Sequence, residues 1–170
     1  RIFRKEAEQY FRKQMELLTS AGFDALGIGS MEEPGFLREA GIELPMYFDQ
    51  GMYSWNHLAG AAMERYGADR LTIPVELNER EIRDSGVQGE MIVYGYLPMM
   101  ISAQCIRKTT IGCSGKSEIM WLKDRKDMRF PVVNQCRFCY NTIYNSAPLS
   151  LLGLSEQVTG LKPNAVRLNF

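Results

Sequence analysis

The chain has 170 residues, of which 45% are hydrophobic and 24% charged, and its formal net charge is zero. That length and composition support a sizeable buried core and argue against disorder, and the lack of any run of about 18 apolar residues argues against a membrane span. Zero net charge leaves no bulk attraction to nucleic acid, and a charged amphipathic start unlike a secretory signal makes the cytoplasm the expected compartment.

The chain opens on Arg1 without an initiator methionine and enters directly into a helical pattern, as a piece of a longer polypeptide would. Phe3, Ala7, Tyr10, Phe11 and Leu18 recur at helical spacing, which predicts an amphipathic helix ending near Gly22. Asp24 to Ser30 is too short and glycine-rich for a helix and reads as a buried strand. Glu32 to Ala40 has helical character with Gly41 placed to end it, and Leu44 to Phe48 reads as a second strand. Asn56 is positioned to cap a helix over His57 to Tyr66, closed by Gly67. Leu71 to Val75 is a third strand interrupted by Pro74, Glu79 to Asp84 suits a short helix, and Glu90 to Tyr96 a fourth strand. Strands alternating with helices predict a parallel α/β sheet, and four such units amount to half of an eightfold barrel. After Pro98 the rhythm breaks, and Gly112, Gly115 and the charged turn Lys123-Asp-Arg-Lys-Asp127 predict a loop-rich insertion. Ser155 to Phe170 resumes with a helix and an Ala165 to Phe170 strand.

Cys105, Cys113, Cys136 and Cys139 lie within one 35-residue stretch, and the rest of the chain has no cysteine. Core packing gives no reason for such clustering, whereas a shared metal or cluster does. Cys136-Arg-Phe-Cys139 lets one tight turn present two sulfurs, and Cys105 with Cys113 can supply a second pair. Four thiolates satisfy tetrahedral zinc or an iron-sulfur cluster, and ligand identity does not separate these from each other; unliganded or disulfide-bonded thiols are the third option. Either inorganic reading expects the four sulfurs to converge within a few ångströms of one point.

Between Cys105 and Cys139 there are eight basic residues against three acidic ones, an excess of five. A solvated charged face accounts for it; the sharper reading is a patch that touches phosphates, with Arg107, Lys108 and Arg137 as its RNA-binding candidates. If the barrel reading holds, side chains at the carboxyl ends of strands face the site, which singles out Asp49, Gln50, Asn56, Glu76, Asn78, Tyr94 and Tyr96. Glu76, Asn56 and Tyr94 are the catalytic candidates among them, with Glu76 able to orient substrate or serve as acid or base, or simply to lead the following helix. Met52-Tyr53-Ser54-Trp55 suits core packing better than base stacking. His57, the single histidine, reads as structural rather than site-lining, and Gly27-Ile-Gly29 is only a fragment of a dinucleotide fingerprint.

Tyr94-Gly-Tyr-Leu-Pro-Met-Met-Ile-Ser-Ala-Gln-Cys105 followed by Gly112-Cys113 resembles the U32 peptidase family, the collagenase-like proteases. Asp124-Arg-Lys-Asp-Met-Arg-Phe-Pro131, Cys136 and Tyr144-Asn-Ser-Ala-Pro-Leu149 are similar to it as well. So are Leu44-Pro-Met-Tyr-Phe-Asp49, Ile73-Pro-Val-Glu-Leu-Asn78 and Val166-Arg-Leu-Asn-Phe170. The resemblance implies the later half of a TIM-like barrel in residues 1–100, a four-cysteine metal or cluster module in 101–150 and a helix-strand tail in 151–170, with the early barrel strands belonging to a fuller protein. Some relatives hydroxylate pyrimidines in transfer or ribosomal RNA and depend on an iron-sulfur cluster, and the four cysteines match the positions that ligate it. The implied function is therefore RNA hydroxylation with a 4Fe-4S cluster on Cys105, Cys113, Cys136 and Cys139, with tRNA or rRNA as partner. The alternatives are collagenase-like proteolysis of a peptide substrate and a non-catalytic structural zinc module.

Overall fold

In a computed structural model of the chain, residues 7–170 are described, so Arg1 and Phe3 lie outside the described residues. The chain forms two compact units, one running to Ile92 and taking in Leu154–Arg167, the other made of Val93–Gly153 and Leu168–Phe170.

In the first unit, α1 spans Glu8–Ser20 and the chain turns at Gly22, whose φ of +72° favours glycine. β1 (Leu26–Ile28), α2 (Glu32–Glu39), β2 (Met46–Phe48), α3 (His57–Tyr66) and β3 (Arg70–Leu71) follow in alternation. The three strands make a parallel sheet of order β1-β2-β3, with Ile28 beside Phe48 and Phe48 beside Leu71. Those three side chains are the centre of a buried cluster with Leu37, Met52 and Val87. Phe48 is 1% exposed, and burying a side chain of that kind contributes about 1.5–3 kcal/mol. Asn56 caps α3, its Oδ1 accepting from the Ala59 N–H at 2.9 Å, and Gly67 closes it at φ +115°. α4 (Glu79–Ser85) starts on a capping box in which Asn78 and Glu81 each accept the other's backbone N–H.

The strands are shorter than the apolar runs that predict them. β2 begins after Pro45, and β3 stops before Pro74; a proline has no N–H to offer a ladder. Beyond β3 there is only an isolated parallel bridge, Thr72 to Glu90. β4 (Glu90–Gly95) thus meets the parallel ladder only at its first residue, Glu90, and does not extend it as a full fourth strand as expected. It is the middle strand of a second sheet of order β10-β4-β9, with β9 (Leu149–Ser150) antiparallel to it and β10 spanning Ala165–Asn169. α6 (Ser155–Gly160) is tied back to α4 by Arg83, which donates to the Gly160 carbonyl at 3.1 Å.

The second unit corrects the expectation of a loop-rich cysteine segment. β5 (Pro98–Ser102), α5 (Ile106–Thr110), β6 (Ile119–Lys123), β7 (Arg129–Gln135) and β8 (Tyr140–Tyr144) build an antiparallel sheet of order β5-β8-β7-β6. The charged run is a turn, as read: the Asp124 carboxylate accepts from the Lys126 and Met128 N–H groups, and Asp127 takes a left-handed φ of +64°. It is, however, the turn of the β6-β7 hairpin. Val132, at the middle of β7, is fully buried. Among the described residues no helix is long and apolar enough to cross a membrane.

Candidate functional site

The four cysteines all fall in the second unit, at connections between its strands. Cys105 follows β5 and caps α5, its Sγ accepting from the Lys108 N–H at 3.5 Å. Cys113 is exposed, just past Gly112 at φ +95°. Cys136 opens a single 3-10 turn, Cys136–Phe138, which links β7 to β8, and Cys139 closes that turn in the left-handed region at φ +52°. The turn is held from outside by Ser117, whose Oγ accepts the Cys136 N–H at 3.1 Å.

All four thiols are free. The Cys136 thiol is pushed above its ordinary value, first by burial, then by the charge and hydrogen bond of Cys113, and then by Cys139 and Cys105. Its three counterparts are thus near enough to act on it electrostatically. Among the described residues, though, no three His, Cys, Asp or Glu side chains close on one point as a bare metal ion demands. The expected convergence of the four sulfurs on one point is thus not seen among the described residues.

Behind Cys105 stand two asparagines on neighbouring strands, Asn134 of β7 and Asn141 of β8, which pair directly across the ladder. Both are withdrawn from solvent, at 1% and 0% exposure. Asn141 Nδ2 donates to the carbonyl of Gln104 at 2.8 Å, and Asn134 Nδ2 points at Cys105 Sγ from 3.9 Å. Their Oδ1 atoms, and Arg107 Nε nearby in sequence, are buried without a partner. An unsatisfied buried polar group costs about 1–3 kcal/mol, against which stand the contacts of the two Nδ2 groups. Sequence reading missed the pair because an Asn on a strand carries no motif.

The three basic candidates lie in the same unit. Arg107 is engaged by Glu118 at 3.4 Å and is only half-exposed, whereas Lys108 and Arg137 are exposed.

The catalytic candidates are dispersed. In the first unit, Asn56 is committed to capping α3, and Glu76 is exposed in the turn between Pro74 and Asn78. Asn78 is likewise a helix cap. Tyr94 belongs to the second unit, half-buried with its ring 5.8 Å from that of Phe170, and Tyr96 is exposed. Met52 and Ser54 are buried, the latter donating to the Thr72 carbonyl, while Tyr53 and Trp55 are exposed, so only half of that stretch packs inward as expected. His57 is exposed at the first turn of α3. The Gly29 N–H, where a phosphate would sit in a dinucleotide turn, is taken by the Glu33 carboxylate at 2.7 Å.

What the first unit does assemble is a carboxylate pair around one arginine. Arg167 of β10 is paired through Nη2 with Asp49, at the end of β2, and through Nη1 with Glu90, at 3.1 Å. Arg167 Nε and Gln50 Oε1 are buried there without partners. Asp49 and Gln50 are among the residues expected at strand ends; Arg167 and Glu90 carry no sequence signal beyond a charge on a strand.

The profile described as Peptidase family U32 matches residues 1–161 of the chain. No curated protein matched, and no solved structure matched.

Proposed function

The chain belongs to peptidase family U32, and from that membership we propose an enzyme that hydroxylates a pyrimidine in tRNA or rRNA in the cytoplasm, built on the later arc of a TIM-like barrel and carrying a 4Fe-4S cluster on Cys105, Cys113, Cys136 and Cys139. The parallel order β1-β2-β3 and the further parallel bridge from Thr72 to Glu90 support the barrel arc.

The observation that carries the reading is the gathering of four free thiols, with Cys136 acted on by the other three. Four thiolates fit both inorganic centres, and the family membership favours the cluster. A single zinc, with Zn–S of about 2.3 Å, draws its four sulfurs to about 3.8 Å from each other. A cluster takes each of the four sulfurs on a separate iron. Such a cluster, when bound, supplies one-electron redox capacity and Lewis acidity.

The chain's own residues then divide the remaining work. Lys108 and Arg137 are exposed cations beside the cysteines and suit phosphate contacts, and Arg107 is ion-paired with Glu118. Glu76 is the exposed carboxylate available for acid or base work, and Tyr94 the aromatic beside Phe170 that suits a base face. Asn56 contributes by fixing the start of α3.

Nucleoside mass spectrometry on RNA from a deletion strain tests this. Loss of one hydroxylated pyrimidine, restored by the intact gene and not by a cysteine variant, is the expected result; an unchanged nucleoside profile sinks the reading. The family's description favours proteolysis as the second reading, under which gelatin cleavage would survive serine in place of the four cysteines.

A further inference from the structure

The strongest unassigned feature is the buried pair Asn134 and Asn141. They oppose one another across β7 and β8, both are buried, and both leave Oδ1 without a partner. Their N–H sides converge on one short piece of chain. Asn141 grips the Gln104 carbonyl, one residue before Cys105, and Asn134 faces Cys105 Sγ itself. The Lys108 N–H reaches the same sulfur from another direction. Cys105 is thus served by two N–H donors.

We propose that Asn134 is a positioning residue that sets the reduction potential of the centre held by the cysteines, by donating an N–H to the Cys105 thiolate, while Asn141 fixes the backbone that delivers that sulfur. The inference rests on the cluster reading above. A hydrogen bond to a ligating sulfur withdraws negative charge from the cluster and stabilises its more negative, reduced state, so removing the donor lowers the potential. Asn141 bonds a carbonyl and not a sulfur, so its loss alters cluster retention without the same effect on potential.

The test is redox titration of anaerobically purified protein, followed by electron paramagnetic resonance, on wild type, Asn134→Leu, Asn134→Asp and Asn141→Leu. Both Asn134 variants are expected to lower the midpoint so that the reduced-to-oxidised ratio at a fixed poise falls by about tenfold, about 59 mV for a one-electron couple. Asn141→Leu is expected to lose cluster more readily and to keep the wild-type midpoint in what remains. A wild-type midpoint in both Asn134 variants overturns the inference, as does an equal shift in Asn141→Leu. Should the variants fail to fold, the wild type decides: protein carrying ¹⁵N-asparagine is expected to give a hyperfine coupling from an asparagine side-chain nitrogen to the reduced cluster, and its absence overturns the proposal. A wild type with zinc and no iron removes the cluster reading and this inference together, whereas an intact cluster with unmoved midpoints removes this inference alone.

Discussion

Arg167 Nη1 stands 3.1 Å from Glu90 Oε1 while the same guanidinium holds Asp49, so a residue near the end of the chain pins the end of β2 and the start of β4. Glu90 is the more buried carboxylate, at 17% side-chain exposure. Replacing Arg167 by methionine keeps the stem and leaves that carboxylate uncompensated. A loss of about 1–3 kcal/mol is expected, less than for a fully buried pair because Asp49 remains partly solvated, and the urea midpoint measures it. Arg167→Met combined with Glu90→Gln should recover part of the loss; a double variant no better than the single one rules out the coupling.

Serine at any one of Cys105, Cys113, Cys136 or Cys139 is expected to cut retained metal by more than about tenfold, since ligand loss exceeds the effect of losing an outer partner. Elemental analysis for iron and zinc after anaerobic purification reads it directly. The fold of the first unit, whose core contains no cysteine, should survive chelation, which separates metal loss from general unfolding.

The metal-free protein should lose stability in alkali. Cys136 has its ionisation opposed in the folded chain, by burial first and then by Cys113, Cys139 and Cys105. A group raised in this way supports the fold fully below the unfolded thiol range, near about pH 8.5, and its support fades as pH climbs through the folded value. Denaturant midpoints of chelated protein between pH 7.5 and pH 10.5 should therefore fall, and more shallowly in Cys136→Ser. Identical slopes would count against the arrangement of thiols described above.

Asn78→Ala removes one half of the capping box on α4, a helix of seven residues with little length to spare. A loss of about 1 kcal/mol is expected from the urea midpoint, and Glu81→Ala, which likewise releases one backbone N–H, is expected to cost no more than that.

The first unit was legible in the sequence wherever punctuation was local. Asn56, Gly67 and Gly22 bounded their helices because capping and left-handed turns depend on a residue and its immediate neighbours. Strand lengths were not legible, since pairing depends on what lies alongside: Leu71 to Val75 is mostly apolar, but beyond β3 its pairing narrows to the Thr72–Glu90 bridge before Pro74, which has no N–H to offer. In the second unit, glycines and charges on the connections hid the alternation of Ile119-Met-Trp-Leu-Lys123, and the segment was expected to be loops. The cysteines announced themselves by spacing. Asn134 and Asn141 did not, because their meaning comes from register across two strands, and register is a property of the folded sheet.

The strand order β5-β8-β7-β6 has a consequence for how the protein is made. Ser102 pairs with Asn141, 39 residues further on, so β5 leaves the ribosome well before the strand it must lie against. The β6-β7 hairpin and then β8 can form by short excursions, bringing Cys136 and Cys139 into place, while Cys105 waits for β5 to dock last. A centre shared by all four cysteines, as proposed above, would thereby be completed only after the whole sheet has been translated, and a nascent chain arrested before β8 would present an unfinished receptacle.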